Sequence, residues 1–468
     1  MACPTGGYSE RAEPRLRRPP AYCRAVVVGA GASGLSAAAC LRARGEDGVV
    51  VLERSESVCG AWARQYEGLR ITTRRAHCGL PGWPVPREGF CDDTNTANAS
   101  ATNPNSNVDN GNNCFTVCGD VMSSQSFVRY LRAYRHRFAL NVFTDTEVLG
   151  AHREASSTIH RGDSHAGGIC VRFRRRGEMS LSVIRCDHLV VATGKCSSPR
   201  MPTAVLQTLQ GFSGEVLHSS EAKALASRAT SSGGICIVGM GNSACDLAVA
   251  LLANGADRVH ISTRSAPPII MRQWGPLSLE WVSRCVCLRW RIGEREAVQF
   301  LPAWAIDTVL SMFGAAKWGK GWRDRVFPPG VKQTWSACAS NRIPCIDKGY
   351  LVPALLSGRI AVHGPIDWAN GRTLRFRYSE ATGSFDTVIL ATGFDAKHFD
   401  WLEPSLREEG VRDGVIHMVG FNNGRALLPL RQIGTDARRA AARIVPRSPR
   451  LEPPQPPPSS LVRANVVA

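Results

Sequence analysis

The sequence lacks several signals that define other classes of protein. Its 17 cysteines include no C-x-x-C pair, and none lies at zinc-ligand spacing from a histidine. This argues against zinc sites and local dithiol centres, and we expect no bound metal. No apolar secretory leader follows the N-terminus. Lysine is scarce, so the net charge of +18 comes almost entirely from arginine.

A basic chain can bind nucleic acid, an anionic membrane or an anionic substrate. Here the arginines are scattered, with only short clusters at Arg15–Arg18 and Arg172–Arg176. Solvated surfaces explain that pattern better than a nucleic-acid partner, which we do not expect. We expect a cytoplasmic protein with buried, reduced cysteines, although the Arg-rich segment Met1–Arg24 leaves organellar import open. The sequence does not indicate an oligomeric state.

The stretch Ala25–Leu35 predicts a dinucleotide-binding turn. Its first residues predict a buried strand, and Ser33–Arg44 predicts a helix. Between them, Gly29, Gly31 and Gly34 follow the G-x-G-x-x-G spacing, which allows a tight turn, close approach of a pyrophosphate and close helix–strand packing. The helix N-terminus would attract the pyrophosphate. The residues predicted to contact the nucleotide are Gly29, Ala30, Gly31, Ala32, Ser33 and Gly34.

An acidic residue follows the second predicted strand, Gly48–Leu52. Glu53 would accept hydrogen bonds from ribose hydroxyls and repel a 2′-phosphate, so this site should hold FAD or NAD rather than NADP. Gly60, Ala61 and Trp62 come next. They predict a turn that holds an aromatic plate beside a flat ring, with a core tryptophan as the alternative.

A second nucleotide-binding unit follows later in the chain. Gly234–Val238 and Arg258–Thr263 predict strands, and Ser243–Ala253 predicts the helix between them. The second strand ends at Arg264 and Ser265, where the first unit has an acid. Arginine favours the 2′-phosphate of NADPH, and a solvated strand-end charge is the alternative. The residues predicted to contact NADPH are Gly239, Met240, Gly241, Asn242, Ser243, Ala244, Arg264 and Ser265.

Two apolar strands end in the same Ala-Thr-Gly tripeptide. One is predicted at Leu189–Ala192 and the other at Val388–Ala391. Small residues there would let the backbone approach a cofactor, and two buried strands ending in glycine turns are the alternative. The predicted site residues are Thr193, Gly194, Thr392 and Gly393.

Four further segments have distinctive composition. The polar, low-complexity run 90–118 and the Pro-rich tail from Val445 predict disorder. The Trp- and Arg-rich region Met271–Gly330 could bind single-stranded nucleic acid, but lining or capping a pocket is the better interpretation. Within it, the apolar run Val298–Ala316 is a candidate for a peripheral membrane contact rather than a spanning helix.

The order of these elements resembles that of the class B flavin monooxygenases, which include flavin-containing monooxygenases and the plant YUCCA enzymes. Phe212–His218 matches the family fingerprint F-x-G-x-x-x-H, and Leu390–Phe394 matches L-A-T-G-[FY]. Gly239–Ser243 looks like the YUCCA-type turn G-C-G-N-S. Gly414–Ile444 looks like the C-terminal end of the family's flavin domain. The resemblance spans about Arg24–Ile444.

The sequence departs from the family pattern at several positions. The aromatic residue expected four residues after the fingerprint histidine is Ala222. The family's Gly-Gly-x-Trp appears here with Cys59 at its first position. By spacing, Thr72 replaces an asparagine that lies near the flavin in the family, and Arg75 replaces a nearby lysine. These changes affect oxygen and substrate handling more than cofactor binding.

The resemblance implies an NADPH- and O2-dependent monooxygenase that acts through a C4a-(hydro)peroxyflavin and oxygenates nitrogen or sulfur in a small organic substrate. It implies catalytic roles near the flavin and nicotinamide for Thr72 and Asn242. His218 and Ser219 are candidates for bracing NADP⁺, with a structural histidine as the rival interpretation. The alternatives are YUCCA-type oxidative decarboxylation of a 2-oxo acid such as indole-3-pyruvate, a flavin disulfide reductase, or a non-catalytic FAD- and NADP-binding protein.

We therefore predict an α/β fold of two Rossmann-like dinucleotide-binding domains, with the NADPH domain inserted into the FAD domain. The 468 residues suffice for two or three domains. The predicted divisions are an N-terminal extension 1–23, FAD-domain parts 24–203 and 371–445, an NADPH domain 204–370, and a tail 446–468.

Overall fold

The fold is taken from a computed structural model of the chain. The structure describes residues 18–66, 69–86, 121–154, 168–221, 233–274, 277–278, 291–292, 295–296, 303–331, 345–378, 382–395, 399–421 and 429–446. Residues 1–17 of the predicted extension 1–23, the polar run 90–118, Ala222 and the predicted tail beyond Pro446 lie outside these residues.

The strands alternate with helices through most of the chain. In order, the first strands are β1 Tyr22–Val28, β2 Val50–Leu52, β3 Arg70–Arg74, β4 Val121–Ser123, β5 Val142–Phe143, β6 Thr146–Arg153, β7 Ile169–Arg175, β8 Ser182–Val191, β9 Ser198–Pro199, β10 Glu215–His218, β11 Ile235–Val238 and β12 Val259–Ser262. The later strands are β13 Ile269–Met271, β14 Gln273–Trp274, β15 Leu277–Ser278, β16 Arg291–Ile292, β17 Arg295–Glu296, β18 Cys345–Asp347, β19 Ile360–His363, β20 Ile366–Asn370, β21 Thr373–Phe376, β22 Thr382–Ser384, β23 Thr387–Leu390, β24 Phe394–Asp395 and β25 Ile416–Met418.

The α-helices are α1 Ala32–Arg42, α2 Ser124–Arg137, α3 Thr203–Thr208, α4 Asn242–Ala253, α5 Ala303–Trp318, α6 Trp322–Val326, α7 Leu351–Leu356, α8 Pro404–Arg412 and α9 Pro429–Ile444. Short 3-10 turns span Gly60–Arg64 and Arg75–His77. The helices predicted after the two glycine turns are present as α1 and α4, each starting one residue before the predicted position.

The chain divides into two compact units. The first comprises Met1–Ala63, Thr73–Ser197 and Ala396–Ala468, and the second comprises Arg64–Thr72 and Ser198–Asp395. The mixed α/β class is therefore confirmed, and the second unit is inserted into the sequence of the first.

The first unit is built on a seven-stranded sheet with the order β5-β2-β1-β8-β7-β6, to which β25 adds beside β8. Strands β1, β2, β5, β8 and β25 pair in parallel, whereas β6 and β7 extend the sheet antiparallel. The order β5-β2-β1, with α1 joining β1 to β2, is that of a mononucleotide-binding half. Helix α1 is alanine-rich and buried nearly along its length, because small side chains let it approach its neighbours closely.

The second unit is built on a parallel five-stranded sheet with the order β10-β23-β11-β12-β19. Its order β19-β12-β11 repeats the arrangement of the first unit, and α4 joins β11 to β12. The apolar face of α4 packs into a core that includes Leu247, Leu251 and Ile261, none of which is exposed.

The structure moves two predicted domain boundaries. The second unit extends to Asp395 rather than to residue 370, because β23 lies between β10 and β11 in its sheet. The second unit also contains Arg64–Thr72, which the sequence analysis placed in the FAD domain. Both Ala-Thr-Gly strands are apolar and buried, so their sequences do not reveal which sheet each joins.

The Trp- and Arg-rich region is partly described. Residues 298–302 lie outside the described residues, and Ala303–Trp318 forms α5. Trp322 is 3% exposed and packs edge-on against Trp318, so it is a core residue rather than a pocket-lining one. Within the described ranges, no helix combines the length and apolarity needed to cross a membrane.

Candidate functional site: two dinucleotide-binding turns

Packing explains two of the three glycines in the first turn. Gly29 has φ +103°, and a Cβ there would lie 2.7 Å from the carbonyl oxygen of Ala192. A Cβ on Gly34 would lie 1.7 Å from the oxygen of Gly29. At Gly31 the nearest atom to a Cβ would be the Cα of Gly60 at 4.0 Å. The fold therefore requires the first and third glycines, whereas the second leaves open a cradle that a ligand can approach.

The start of α1 offers backbone donors at this cradle. The helix begins at Ala32 with Gly31 as its N-cap, and in the described part of the chain no side chain caps it. Its first turn holds no acidic residue. Uncapped N–H groups and the positive end of the helix dipole suit a pyrophosphate. Ala30 and Ser33 are buried beneath this turn.

Glu53 lies directly after β2 and is 6% exposed. One carboxylate oxygen accepts a hydrogen bond from the Ala30 amide at 2.7 Å, and the other accepts one from the Ser55 amide at 2.9 Å. A carboxylate can accept about four hydrogen bonds, so the remaining capacity suits the hydroxyls of a ribose. The Glu53 carboxylate can therefore hold the turn in place and bind a ribose at the same time.

The Gly-x-Trp segment lies on the first glycine turn. The Cys59 amide donates to the Ala30 oxygen at 3.0 Å, and the Trp62 amide donates to the Cys59 oxygen at 3.2 Å. Gly60 and Ala61 complete this turn. Trp62 is half-buried and meets Phe127 edge-on at 5.0 Å between ring centroids. Trp62 thus packs on the core of the first unit and stands beside the turn.

The second turn repeats the glycine pattern. Gly239 has φ +109°, and a Cβ there would lie 2.6 Å from the oxygen of Ala391. A Cβ on Gly241 would meet nothing within 4 Å among the described residues. The third position, Ala244, is fully buried against the sheet. Helix α4 begins at Asn242, again without a capping side chain in the described part of the chain.

The two turns share one hydrogen-bonding frame. The amide of Gly29 donates to the oxygen of Leu52 at 2.8 Å, and the amide of Gly239 donates to the oxygen of Ser262 at 2.8 Å. In both units the first glycine is therefore tied to the last residue of the neighbouring strand.

This frame corrects the register of the predicted 2′-phosphate residue. The Glu53 amide donates to the Phe143 oxygen at 2.9 Å, and the Thr263 amide donates to the His363 oxygen at 3.0 Å. Thr263 is thus the counterpart of Glu53, and Arg264 lies one residue beyond it. Arg264 is exposed. The sequence placed Arg264 in the acid's own position because the predicted strand ended one residue too late.

Each Ala-Thr-Gly motif lies against its own glycine turn. The Ala192 amide donates to the Val28 oxygen at 3.0 Å, and the Ala391 amide donates to the Val238 oxygen at 2.9 Å. The carbonyls of these two alanines face Gly29 and Gly239. The residues after them are half-buried: Thr193, Gly194, Thr392 and Gly393.

His218 is engaged entirely within the second unit. It is fully buried, and its Nε2 lies 3.0 Å from the Gly393 oxygen. Because a carbonyl only accepts, Nε2 donates there, and Nδ1 accepts from the Ser220 amide at 3.1 Å. Burial lowers the pKa of His218, which favours this neutral form. The geometry supports the structural interpretation of His218. The neighbouring Ser219 amide donates a hydrogen bond to the carbonyl oxygen of Leu390.

The two residues predicted to be catalytic both belong to the second unit. The Asn242 side-chain oxygen accepts a hydrogen bond from the Ile346 amide at 2.9 Å. The Thr72 carbonyl accepts one from Arg272 Nε at 3.2 Å. The side chain of Asn242 is thus at least partly committed to the fold, and the catalytic roles stay predictions.

The second unit also contains a largely buried ion pair that no sequence motif indicates. Lys348 Nζ lies 2.9 Å from Asp246 Oδ2, and it also donates to the Arg70 oxygen at 2.8 Å. Burial raises the pKa of Asp246, and the charge of Lys348 opposes that shift. In the sequence Lys348 is an isolated charge after a short strand, so no local signal distinguishes it from a solvated lysine.

The geometry defines a protein with two dinucleotide-binding units. Comparison with known families agrees: a NAD(P)-binding Rossmann-like domain matches residues 27–82, and the flavin-binding monooxygenase-like family matches residues 117–311.

Curated relatives align over most of the chain. The present chain is 28% identical over 415 residues to the indole-3-pyruvate monooxygenase YUCCA1 of Oryza sativa subsp. japonica. The alignment covers 88% of this chain and 87% of that protein. It is 26% identical over 403 residues to the probable indole-3-pyruvate monooxygenase YUCCA8 of Arabidopsis thaliana, covering 85% and 80%.

Solved structures share the fold. An open crystal structure of cyclohexanone monooxygenase has a TM-score of 0.58 at 16% identity, covering 91% of this chain and 88% of that chain. A flavin-containing monooxygenase from Stenotrophomonas maltophilia has a TM-score of 0.55 at 17% identity, covering 91% and 98%. The chain is therefore similar to flavin-binding monooxygenases over most of its length. It is an oxidoreductase that uses FAD and NADPH.

Proposed function

We propose that the chain oxidises NADPH with O2 and oxygenates a small 2-oxo acid of the indole-3-pyruvate type. The observation that carries the cofactor part is the chemical difference between two turns of equal geometry. The first turn ends in a buried acid, Glu53, and the second in an exposed base, Arg264. The substrate class rests on the curated relatives, which are indole-3-pyruvate monooxygenases that align over most of the chain.

The first turn fits FAD. Gly31 leaves the cradle open and α1 presents uncapped amides to it, as the pyrophosphate requires. Glu53 has acceptor capacity for the ribose. A 2′-phosphate would meet this buried negative charge at close range, so NADP is disfavoured here.

The second turn fits NADPH. Gly241 gives the same open approach, and α4 presents amides in the same way. Thr263 at the position of Glu53 removes the acid, and Arg264 offers a planar, bidentate partner to a 2′-phosphate. An exposed strand-end arginine suits a group that must enter and leave in each catalytic cycle.

The first turn would hold FAD, whose redox chemistry would link NADPH oxidation to the reduction of O2. The residues of this chain bind and orient: Gly31 and Glu53 hold one nucleotide, and Gly241 and Arg264 the other. His218 acts indirectly, because its hydrogen bond to Gly393 fixes the tripeptide that faces the second turn. For a 2-oxo acid the balanced reaction consumes one O2, one NADPH and one proton, and yields the shortened acid, CO2, water and NADP⁺.

The test is turnover of indole-3-pyruvate under 18O2, with catalase present because free hydrogen peroxide decarboxylates 2-oxo acids without an enzyme. We expect indole-3-acetate carrying one 18O, CO2 in equal amount, and one NADPH oxidised per product. NADPH oxidation that yields no 18O-labelled indole-3-acetate would contradict the substrate proposal. No NADPH-dependent oxygen uptake by FAD-loaded protein would contradict the enzyme assignment.

The second candidate is oxygenation of nitrogen or sulfur, which the family resemblance allows. The same assay with N,N-dimethylaniline and with a thioether distinguishes it, because the 18O then appears in the N-oxide or sulfoxide and no CO2 forms. In the second unit, the side chains of Cys245 and Cys345 are neighbours. Both are buried, so this pair gives little support to the disulfide-reductase alternative.

A further inference from the structure

A short segment that follows the Gly-x-Trp turn in sequence belongs to the second unit. Residues Arg64–Thr72 belong to that unit, whereas Ala63 and Thr73 belong to the first. The segment carries Thr72, for which the family resemblance implies a place near the flavin. How this segment is held therefore bears on the chemistry.

An aromatic residue anchors the start of the segment. Tyr66 is 4% exposed and lies in the same apolar core as Leu247 and Ile261, with Leu69 packed beside it. Its hydroxyl has no hydrogen-bond partner among the described residues. Burial beside Asp246 raises the pKa of Tyr66, so the hydroxyl stays protonated. Packing holds the Tyr66 side chain, and it does not fix the direction of the residues that follow.

The end of the segment is part of strand β3, which pairs with β4, and two side chains also bind its carbonyl oxygens. Lys348 Nζ donates to the Arg70 oxygen at 2.8 Å, and Arg272 Nε donates to the Thr72 oxygen at 3.2 Å. Arg272 and Lys348 are joined in turn, because the Arg272 amide donates to the oxygen of Asp347 at 2.9 Å. Both hydrogen bonds are made to backbone carbonyl oxygens, so they do not depend on the side chains of the segment.

The position of Lys348 is itself fixed by α4. Asp246 lies one helical turn after Asn242, on the same face of the helix. Asn242 accepts a hydrogen bond from the Ile346 amide, and Asp246 pairs with Lys348 at 2.9 Å. Asp347 accepts bonds from the amides of residues 349 and 351, which holds the backbone around Lys348. The ion pair is about four-fifths buried, so solvent screens it weakly.

We propose that Lys348 is a positioning residue for the reaction: together with Asp246 it clamps the Thr72 segment onto the helix that carries the NADPH-binding turn. The segment and the nucleotide helix then move as one body. Productive transfer of oxygen depends on that alignment, whereas binding of NADPH does not. This inference rests on the proposed function, because the coupling at issue is that of NADPH oxidation to an oxygenated product.

The first test measures the clamp without catalysis. Hydrogen exchange of the amides of residues 69–73 would be followed in FAD-loaded Lys348→Met, Lys348→Arg and wild type. We expect exchange to rise about tenfold in Lys348→Met, as loss of a charge-assisted hydrogen bond implies, and to stay near wild type in Lys348→Arg. The control is Arg375→Met, which removes an exposed ion pair to Asp367 in the same unit. Unchanged exchange in a folded Lys348→Met would overturn the clamp.

The second test measures its catalytic consequence. We expect Lys348→Met to release several-fold more of its NADPH electrons as hydrogen peroxide, with the KM for NADPH within about twofold of wild type. Asp246→Asn should act in the same direction, and Arg375→Met should not. Raised exchange with unchanged coupling would make the clamp structural only and would overturn the positioning role. If Lys348→Met does not fold, Arg272→Met reports on the same segment through the Thr72 carbonyl.

The two failures remain distinguishable. A wild type that consumes no oxygen with NADPH contradicts the proposed function, and the exchange arm still decides whether Lys348 holds the segment.

Discussion

Cys59 offers a direct test of how the flavin-side turn is built. It has φ +98°, a region that favours glycine, and its side chain is fully buried. Strain of this kind costs about 1–3 kcal/mol in a non-glycine residue. The family pattern has glycine here, so the structure gives a physical reason for that pattern. Replacing Cys59 by glycine should release the strain, and replacing it by alanine should not.

The magnitude follows from comparison with an unstrained site. Cys186 is also fully buried in the first unit, but it lies in the regular strand β8. Changing alanine to glycine there loses a buried methyl, about 0.8 kcal/mol, and adds about 0.4–1 kcal/mol of unfolded-state entropy. At Cys59 the same losses are offset by the released strain. The glycine-minus-alanine difference should therefore be about 2 kcal/mol more favourable at Cys59 than at Cys186.

The measurement is urea unfolding of four variants, Cys59→Gly, Cys59→Ala, Cys186→Gly and Cys186→Ala, each loaded with FAD. Circular dichroism and flavin fluorescence should give the same midpoint if the first unit unfolds as one transition. Because only differences within each pair are used, errors of extrapolation largely cancel. Equal glycine-minus-alanine differences at the two positions, within about 0.5 kcal/mol, would refute the strain argument.

Three other predictions follow from the same geometry. Gly31→Ala should fold but lose FAD affinity, because its Cβ enters the open cradle; FAD titration measures this. Gly34→Ala should fail to fold, since its Cβ would lie 1.7 Å from a backbone oxygen, and purification yield measures that. Arg264→Ala should raise the KM for NADPH about tenfold or more and leave that for NADH unchanged in steady-state kinetics. His260 and His417 each have a pKa lowered to about 4, mainly by burial and then by a partner histidine. Folding therefore favours their neutral forms, so the free energy of unfolding should fall as pH drops from about 6.5 towards 4. For the buried His417 the loss should be about 3 kcal/mol. Urea titrations at several pH values should show a flatter pH profile for His417→Phe than for wild type.

The glycine turns could be predicted from sequence because their signals are local. The spacing of Gly29, Gly31 and Gly34 lies within one strand–turn–helix unit, and α1 starts within one residue of the prediction. The same holds for α4. Short apolar strands beside these turns were also predicted to within a few residues, because β-branched runs bounded by glycine have few other solutions.

The contacts of Lys348 could not be predicted, because they join residues far apart in the chain. Arg70 and Asp246 lie 278 and 102 residues away from it. Single-sequence patterns carry no information at that range, and an isolated lysine is usually solvated. The same limit explains why β23 was assigned to the wrong domain, since its apolar sequence fits either sheet.

The repeated frame of the two turns has a consequence for how nucleotide preference can change. Glu53 is buried and holds two amides of its own turn, so the choice made there is bound to folding. Arg264 is exposed. If Arg264 binds the 2′-phosphate as proposed, a substitution there should alter nucleotide choice at little cost in stability. The proposed coenzyme preference of the second turn can then change by mutation without unfolding the protein, whereas a change at Glu53 would also destabilise the first turn.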